Sequence, residues 1–486
     1  MPFRSMKAKA CTGSMTVMFC LLSVLILSLS VVCVRSVQLA SFRFLAAESI
    51  DLGLYSLFGQ YDKELLEEYD MFFLDASYGS GQLQLAQVIQ MLENYTNDTL
   101  QAENDQYKMK QSGFTEYMLA SDQNGNVWKE QAVAFMKQSL GTQGIALLLQ
   151  DLQKKQKTAE EQEKEVHRDT RDDPEALYDR QIQESRQQTE EETDGAVTFQ
   201  GIEENPIDKI REVKKMGILA LVMPDSVSVS GKRVEATQLL SNRKENTGMG
   251  AQIPITFSPL EDVMYQEYCI QKLSCFGQMR GAGELDYQIE YILEGKYSDE
   301  ENLKETVKRL LRFREASNYA YLAANASARQ QCAAFALSLA SAVGIPQASA
   351  VVEVVLRLCW AYGESLLDVR TLLSGGKVPL MKDQESWKLS VDRLFYVLEE
   401  LKAVGKEQTE SGMDYASYLR LLLFMQRDLS RQTLRSLDMI EGTVRKLPGK
   451  EAFRLDCCIQ SLAIEGRVQD ARGRLYILAR DYSYQM

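Results

Sequence analysis

The chain has 486 residues, 45% of them apolar, and its 55 basic against 68 acidic residues leave a net charge of −13. That length and apolar share suit two or three folded domains with real cores and exclude a disordered tail. The acidity excludes a nucleic-acid-binding role, because neutralising phosphates needs a basic face and no segment beyond the N-terminal leader is basic.

The first predicted element is the stretch MTVMFCLLSVLILSLSVVCV, Met15 to Val34, which has no charge and follows Arg4, Lys7 and Lys9. A helix of this length, at about 1.5 Å per residue, crosses the roughly 30 Å hydrocarbon core of a bilayer. The run exceeds the apolar region of a secretory signal, and the large Gln38 stands where a signal peptidase needs a small side chain. The reading is therefore a basic leader over 1–14 and a permanent span over 15–35. The basic leader predicts a cytoplasmic N-terminus, with the rest of the chain outside the cytoplasm.

Beyond the span, Leu39, Phe42, Ala46, Ile50, Leu54 and Leu57 follow at steps of three or four, with Glu48 and Asp51 on the other side and no proline between. One helix of about forty residues is expected, its second half packing on a soluble domain. The Leu39 to Leu57 stripe has two readings of equal weight: a docking face for other membrane helices, or core packing against its own domain.

Residues 36–150 read as a helical membrane-proximal region with breaks at Tyr78-Gly79-Ser80-Gly81 and near Asn124-Gly125-Asn126. Asp122, Asn124 and Asn126 start like a calcium loop, but Gly125 comes too early and no glutamate closes it, so a surface turn is expected. Residues 151–204 form a charged linker or solvated helix, too poor in apolar residues to build a core, and the chain's single histidine, His167, lies inside it.

An α+β domain is expected over 205–486. Asn205 and Pro206 suit a helix start. ILALVMP reads as a buried strand, Ser230-Gly231-Lys232 as a hairpin, 260–278 as a helix, Leu285 to Leu293 as an alternating strand, and Asp299 as the cap of a helix to about Asn325. Cys332 to Val352 is charge-free, but its alanines, serines, Gly344 and Pro346 predict two core helices rather than a second span. FRLDCCIQSLAIEG and GRLYILARDYSYQM are candidate sheet partners, giving an α+β fold with helix dominant.

The chemistry is mostly negative. One histidine excludes Ser-His-Asp and Cys-His arrangements outside the linker and any H-E-x-x-H, and no G-x-S-x-G elbow is present. The nine cysteines show no C-x-x-C spacing, and those of the main body read as free, buried thiols. No cofactor, metal or catalytic residue is expected.

A basic leader, a glycine and a hydrophobic helix that continues as an amphipathic one resemble pilins and pseudopilins. More narrowly, GSMTVMFCLLSVLILSL, AAESIDLGLYSLFGQYDKELLEEYDMFFLD, NPIDKIREVKKMGILALVMPD and LDYQIEYILEGKYSDEENLKETVKRLL resemble an uncharacterised family of Gram-positive membrane proteins encoded beside tight-adherence (Tad, or Flp) pilus genes and likened to the TadE/TadG pseudopilins. The resemblance implies prepilin-type processing between Gly13 and Ser14, although Met18 stands where the family's peptidase site carries glutamate. It also implies partners in the lipid bilayer and among membrane or pilus-assembly proteins, reached through the N-terminal helix. The expected function is a non-enzymatic, single-pass membrane-anchored pilus or secretion component. The alternatives are an anchored extracellular binding or sensing module and an exported hydrolase with a carboxylate-only site.

Overall fold

The computed structural model describes residues 12–171, 173–192, 205–250, 253–342, 345–404 and 412–484. The fold is α+β and mostly helical. A 47-residue helix, α1 (Thr12–Phe58), leads the chain. Its segment from Met15 is long and apolar enough to cross a membrane, and the most apolar window is not buried by any part of the protein.

After α1 come α2 (Lys63–Tyr69), β1 (Leu74–Asp75), α3 (Leu85–Glu103), β2 (Lys108–Leu119), α4 (Asp122–Asp169) and α5 (Pro174–Glu192). The helical body follows with α6 (Pro206–Lys214), α7 (Ile218–Val222), α8 (Pro259–Lys272), α9 (Gln288–Glu294), α10 (Asp299–Ala324), α11 (Ala326–Ala342), α12 (Ser349–Leu373), α13 (Val397–Ala403), α14 (Tyr415–Phe424) and α15 (Leu429–Val444). Two strands close the chain, β3 (Cys458–Gln469) and β4 (Leu475–Ser483).

Local chemistry sets many of these boundaries. The Asn205 side chain accepts from the Ile207 N–H ahead of Pro206, and Ser258 and Glu261 cap each other's backbone at the start of α8. Gly125 precedes the regular part of α4 at φ +81°, and a Cβ there would lie 2.8 Å from Leu437 and 2.9 Å from Thr433, so only glycine fits.

β3 is central in a single antiparallel sheet. It pairs with β2 from Lys108↔Gln469 to Leu119↔Ile459 through three register shifts, with β4 from Ser461↔Ser483 to Gln469↔Leu475, and with the short β1 at Ile459 and Cys458. Two apolar cores result. The smaller lies between α1, α3 and one face of the sheet. The larger fills the helical body and takes in Trp128, Tyr178, Tyr268 and most of α12.

Several expected elements differ. ILALV is a short helix, α7, not a strand. The stretch read as a strand from Leu285 contains α9, because Gln288 and Glu290 are not solvent-facing alternates but buried acceptors for the backbone N–H groups of Ser274 and Phe276, both at 2.9 Å. No hairpin forms at Ser230; the segment makes only one bridge, Arg233↔Ser298. α10 is capped by Ser298, while Asp299 turns inward and accepts from the N–H groups of Asp286 and Tyr287. β2 lies where only helix was expected. The charged stretch is helical through α4 and α5, and Leu152, Ala159 and Tyr178 dock it on the body; its residues 193–204 lie outside the described residues. Cys332 to Val352 divides between α11 and α12, and no second span appears among the described residues.

Candidate functional site

Two features of the fold stand out as sites: the surface of α1 and a cleft in the helical body.

Phe42, Ala46, Ile50, Leu54 and Leu57 are all buried in the smaller core, and Leu39 is half-buried at its lower edge. Phe42 packs against the rings of Tyr107 and Tyr476, at 4.8 and 5.2 Å between centroids. Phe58 does the same with Tyr482 and Tyr484, at 4.6 and 4.9 Å. The stripe, which the sequence left open between a docking face and core packing, is thus covered by the protein's own α3 and sheet. The face it leaves outward carries Val37, Phe44, Leu52 and Tyr55, with Phe44 71% and Tyr55 66% exposed. This outward row was missed because the inward one has the better helical spacing. Gly13 and Ser14 lie in the first turn of α1, and the leader up to residue 11 lies outside the described residues.

The cleft, of about 910 Å³, opens between the segment after α7, the start of α9 and the C-terminal end of α12. At its wall the Arg370 side chain is only 7% exposed. Its Nη1 donates to the carbonyls of Leu221 (3.3 Å) and Met223 (2.8 Å), which close the end of α7. Its Nη2 lies 3.9 Å from the carboxylate of Asp225, a residue facing water. The Nε of Arg370 has no hydrogen-bond partner among the described residues. Lys402 adds a second cation, Asp286 is paired with Lys232 at 2.6 Å, and Phe276 and Tyr287 supply apolar wall. Such a cleft can hold a small anion or polar molecule. On its lining the Ser230 hydroxyl donates to the buried Asp299 carboxylate at 2.7 Å, which also accepts from the N–H groups of Asp286 and Tyr287. His167 is far more exposed than buried, beside Glu163 on α4.

Behind this wall stands Glu290, fully buried, accepting from the Phe276 N–H at 2.9 Å and the Tyr415 hydroxyl at 3.0 Å. Burial pushes its carboxyl up to about 7, against the opposing pull of those two donors. A carboxyl tuned towards neutrality marks many active sites, but this one does not open to the cleft.

Elsewhere, buried charges serve the structure. Arg314, Asp368, Lys382 and Glu364 are all essentially without exposure and join α10, α12 and the segment after it, with Arg314 to Asp368 at 3.0 Å and Lys382 to Glu364 at 2.5 Å. Burial raises the Glu364 carboxyl; for Asp368 burial is outweighed by Lys382 and Arg314, which hold it below its ordinary range. A second network ties Arg243 to Glu441 and Asp456, linking α15 to the start of β3. Neither network was visible in the sequence, since each joins residues far apart along the chain. The six cysteines of the body, Cys269, Cys275, Cys332, Cys359, Cys457 and Cys458, are free and buried, and Cys20 and Cys33 are exposed on α1. No cluster able to hold a metal occurs among the described residues.

No curated protein and no solved structure matches this chain. The match to a family covers residues 197–470, from the start of the helical body through β3, and leaves out α1, α3 and β2. With more than half of its length matched, the chain belongs to DUF5702, a family of unknown function.

Proposed function

We propose that the protein is a non-enzymatic, single-pass membrane-anchored component of a Tad/Flp-type pilus or a related secretion apparatus, with its leader in the cytoplasm and its body outside. The observation that carries this reading is the division of α1: a bare apolar half, and a second half that is the central strut of a small core against an antiparallel sheet. One rigid rod therefore couples whatever packs against it in the bilayer to the position of the body. The outward row of Val37, Phe44, Leu52 and Tyr55 continues the bare surface upward, so a partner helix can follow α1 out of the membrane. The test is the mass and N-terminal sequence of the protein from its native membrane, with a search for it in sheared surface fibres. A new N-terminus at Ser14 together with fibre association supports a pseudopilin-like subunit. An intact leader together with absence from fibres and from every complex with pilus-assembly proteins contradicts the proposal.

A second reading, an anchored extracytoplasmic binding module, is favoured by the cleft beside Arg370, whose unpaired Nε suits an anionic ligand. Saturable binding of a small carboxylate or phosphate that Arg370→Met abolishes, without loss of folding, supports it.

A further inference from the structure

The body of this acidic protein turns a basic end towards the membrane, and no single segment shows it. The charge-free run of α1 ends at Val34, which places Arg35 at the edge of the hydrocarbon. Three residues on, about 4.5 Å along the axis, Gln38 accepts a hydrogen bond from Arg472 at the tip of the β3–β4 turn. The headgroup layer is itself roughly 5–7 Å deep on each side. A bilayer that takes up the bare half of α1 therefore receives the tip of this turn in its headgroups.

The turn does not stand alone at that level. Lys108 of β2 is in register with Gln469 of β3, and Gln469 with Leu475 of β4, so the same row brings both outer strands to the membrane edge. Lys108, Lys110 and Arg467 are exposed there and make no ion pair among the described residues. Arg43 lies over the ring of Tyr476 at 5.5 Å and Tyr107 packs on Phe42, which by the same rise puts this cation and both rings roughly 10–12 Å above Arg35, just over the headgroup layer. Leu475 and Ile477 are exposed large apolar residues beside these cations. The opposing acids at this end are Glu103, Asp105 and Asp470, the last already occupied by Arg474 at 2.9 Å.

We infer that this end of the sheet is a docking platform for anionic phospholipid headgroups, holding the body flat against the bilayer instead of letting it swing on α1. Each Lys or Arg near an anionic surface adds attraction that fades within a Debye length, and exposed apolar side chains next to them add burial in the interface. The inference rests on the anchoring of α1 and on nothing about a pilus.

The experiment uses the full chain carrying Ala471→Cys, with Cys11, Cys20 and Cys33 replaced by serine, and a fluorophore on the new thiol. Proteoliposomes are made from phosphatidylcholine alone or with about 30 mol% phosphatidylglycerol, each containing a headgroup-bound nitroxide quencher. The inference predicts quenching at least about twofold stronger in the anionic vesicles, reduced to the neutral level by Lys108→Glu, Arg467→Glu and Arg472→Glu together or by roughly 0.5 M salt. Quenching equal in both lipids and indifferent to the charge reversals overturns the headgroup platform while leaving the anchor intact. Failure of the protein to float with vesicles of either composition, and extraction at alkaline pH, overturns the anchor and the platform with it.

Discussion

The two cores of this molecule are held by different means. The smaller one is a set of apolar rows: Phe42, Ala46, Ile50 and Leu54 on α1, Val88 and Leu92 on α3, and Ile464 and Val468 on β3. The larger one is equally apolar in bulk but encloses charge, with Arg314, Asp368, Lys382 and Glu364 packed between helices without access to water. Apolar rows tolerate volume-conserving exchanges, though not truncation, since burial and shape alone reward them. A buried ionic network is not, because each member is stable only while its partners remain. The smaller core therefore reads as a sturdy joint between body and rod, and the helical body as the part whose unique arrangement is specified by polar contacts.

The contrast is broken most sharply by single substitutions. Lys382→Met removes the cation shared by Glu364 and Asp368, and unfolding by urea is expected to show a loss of roughly 3–5 kcal/mol. A loss below about 1 kcal/mol shows that the network is not needed. Leu54→Ala opens a cavity in the smaller core and should cost about 2–5 kcal/mol. Amide hydrogen exchange then speeds up in β3 and β4 while α12 stays protected; equal acceleration in α12 contradicts the division into two cores.

The pH dependence sharpens the same point, because the helical body also holds acids raised by burial. Glu290 goes from 4.5 to about 7, and Asp438 from 3.8 to about 6 despite its hydrogen bonds from Ser241 and Tyr291. For a raised carboxyl the folded state binds the extra proton. Its stabilising contribution is fully present below the ordinary carboxylate range, declines as pH rises, and is gone above about 7. Between those limits each group costs up to about 1.4 kcal/mol per pH unit. Glu290→Gln keeps an acceptor for the Phe276 N–H and should flatten the fall in unfolding free energy between pH 5 and 7, by on the order of 2–3 kcal/mol in urea titrations. An unchanged slope contradicts a neutral Glu290. The smallest effect belongs to the outward row: Phe44→Ser should change stability by less than about 0.5 kcal/mol, yet reduce capture of any helix that packs along α1.

The difference between the cores also explains what was legible in the sequence. Apolar spacing revealed α1 and its inward stripe, capping chemistry the Asn205-Pro206 start of α6, the small residues with Gly344 and Pro346 the division between α11 and α12, and strand character β3 and β4 as sheet partners. β2 escaped because most of its residues are neither fully buried nor in strict alternation, and its register shifts three times against β3. α9 was misread for the opposite reason: its polar residues look solvent-facing but serve buried backbone groups. The basic platform could not be seen at all, since Arg43, Lys108, Arg467 and Arg472 come from three separate stretches that only the sheet and α1 bring to one end.

The account depends most on α1 being one rod with its lower half in lipid, and the native thiols of Cys20 and Cys33 report on this directly. With Cys11 replaced by serine and Leu147→Cys as an exposed control, a water-soluble maleimide is added to native membranes opened to both sides. The account predicts rapid labelling of residue 147 and none of Cys20 or Cys33 until the membrane is dissolved and the protein denatured. Labelling of Cys20 and Cys33 as fast as the control, in intact bilayers, would contradict it.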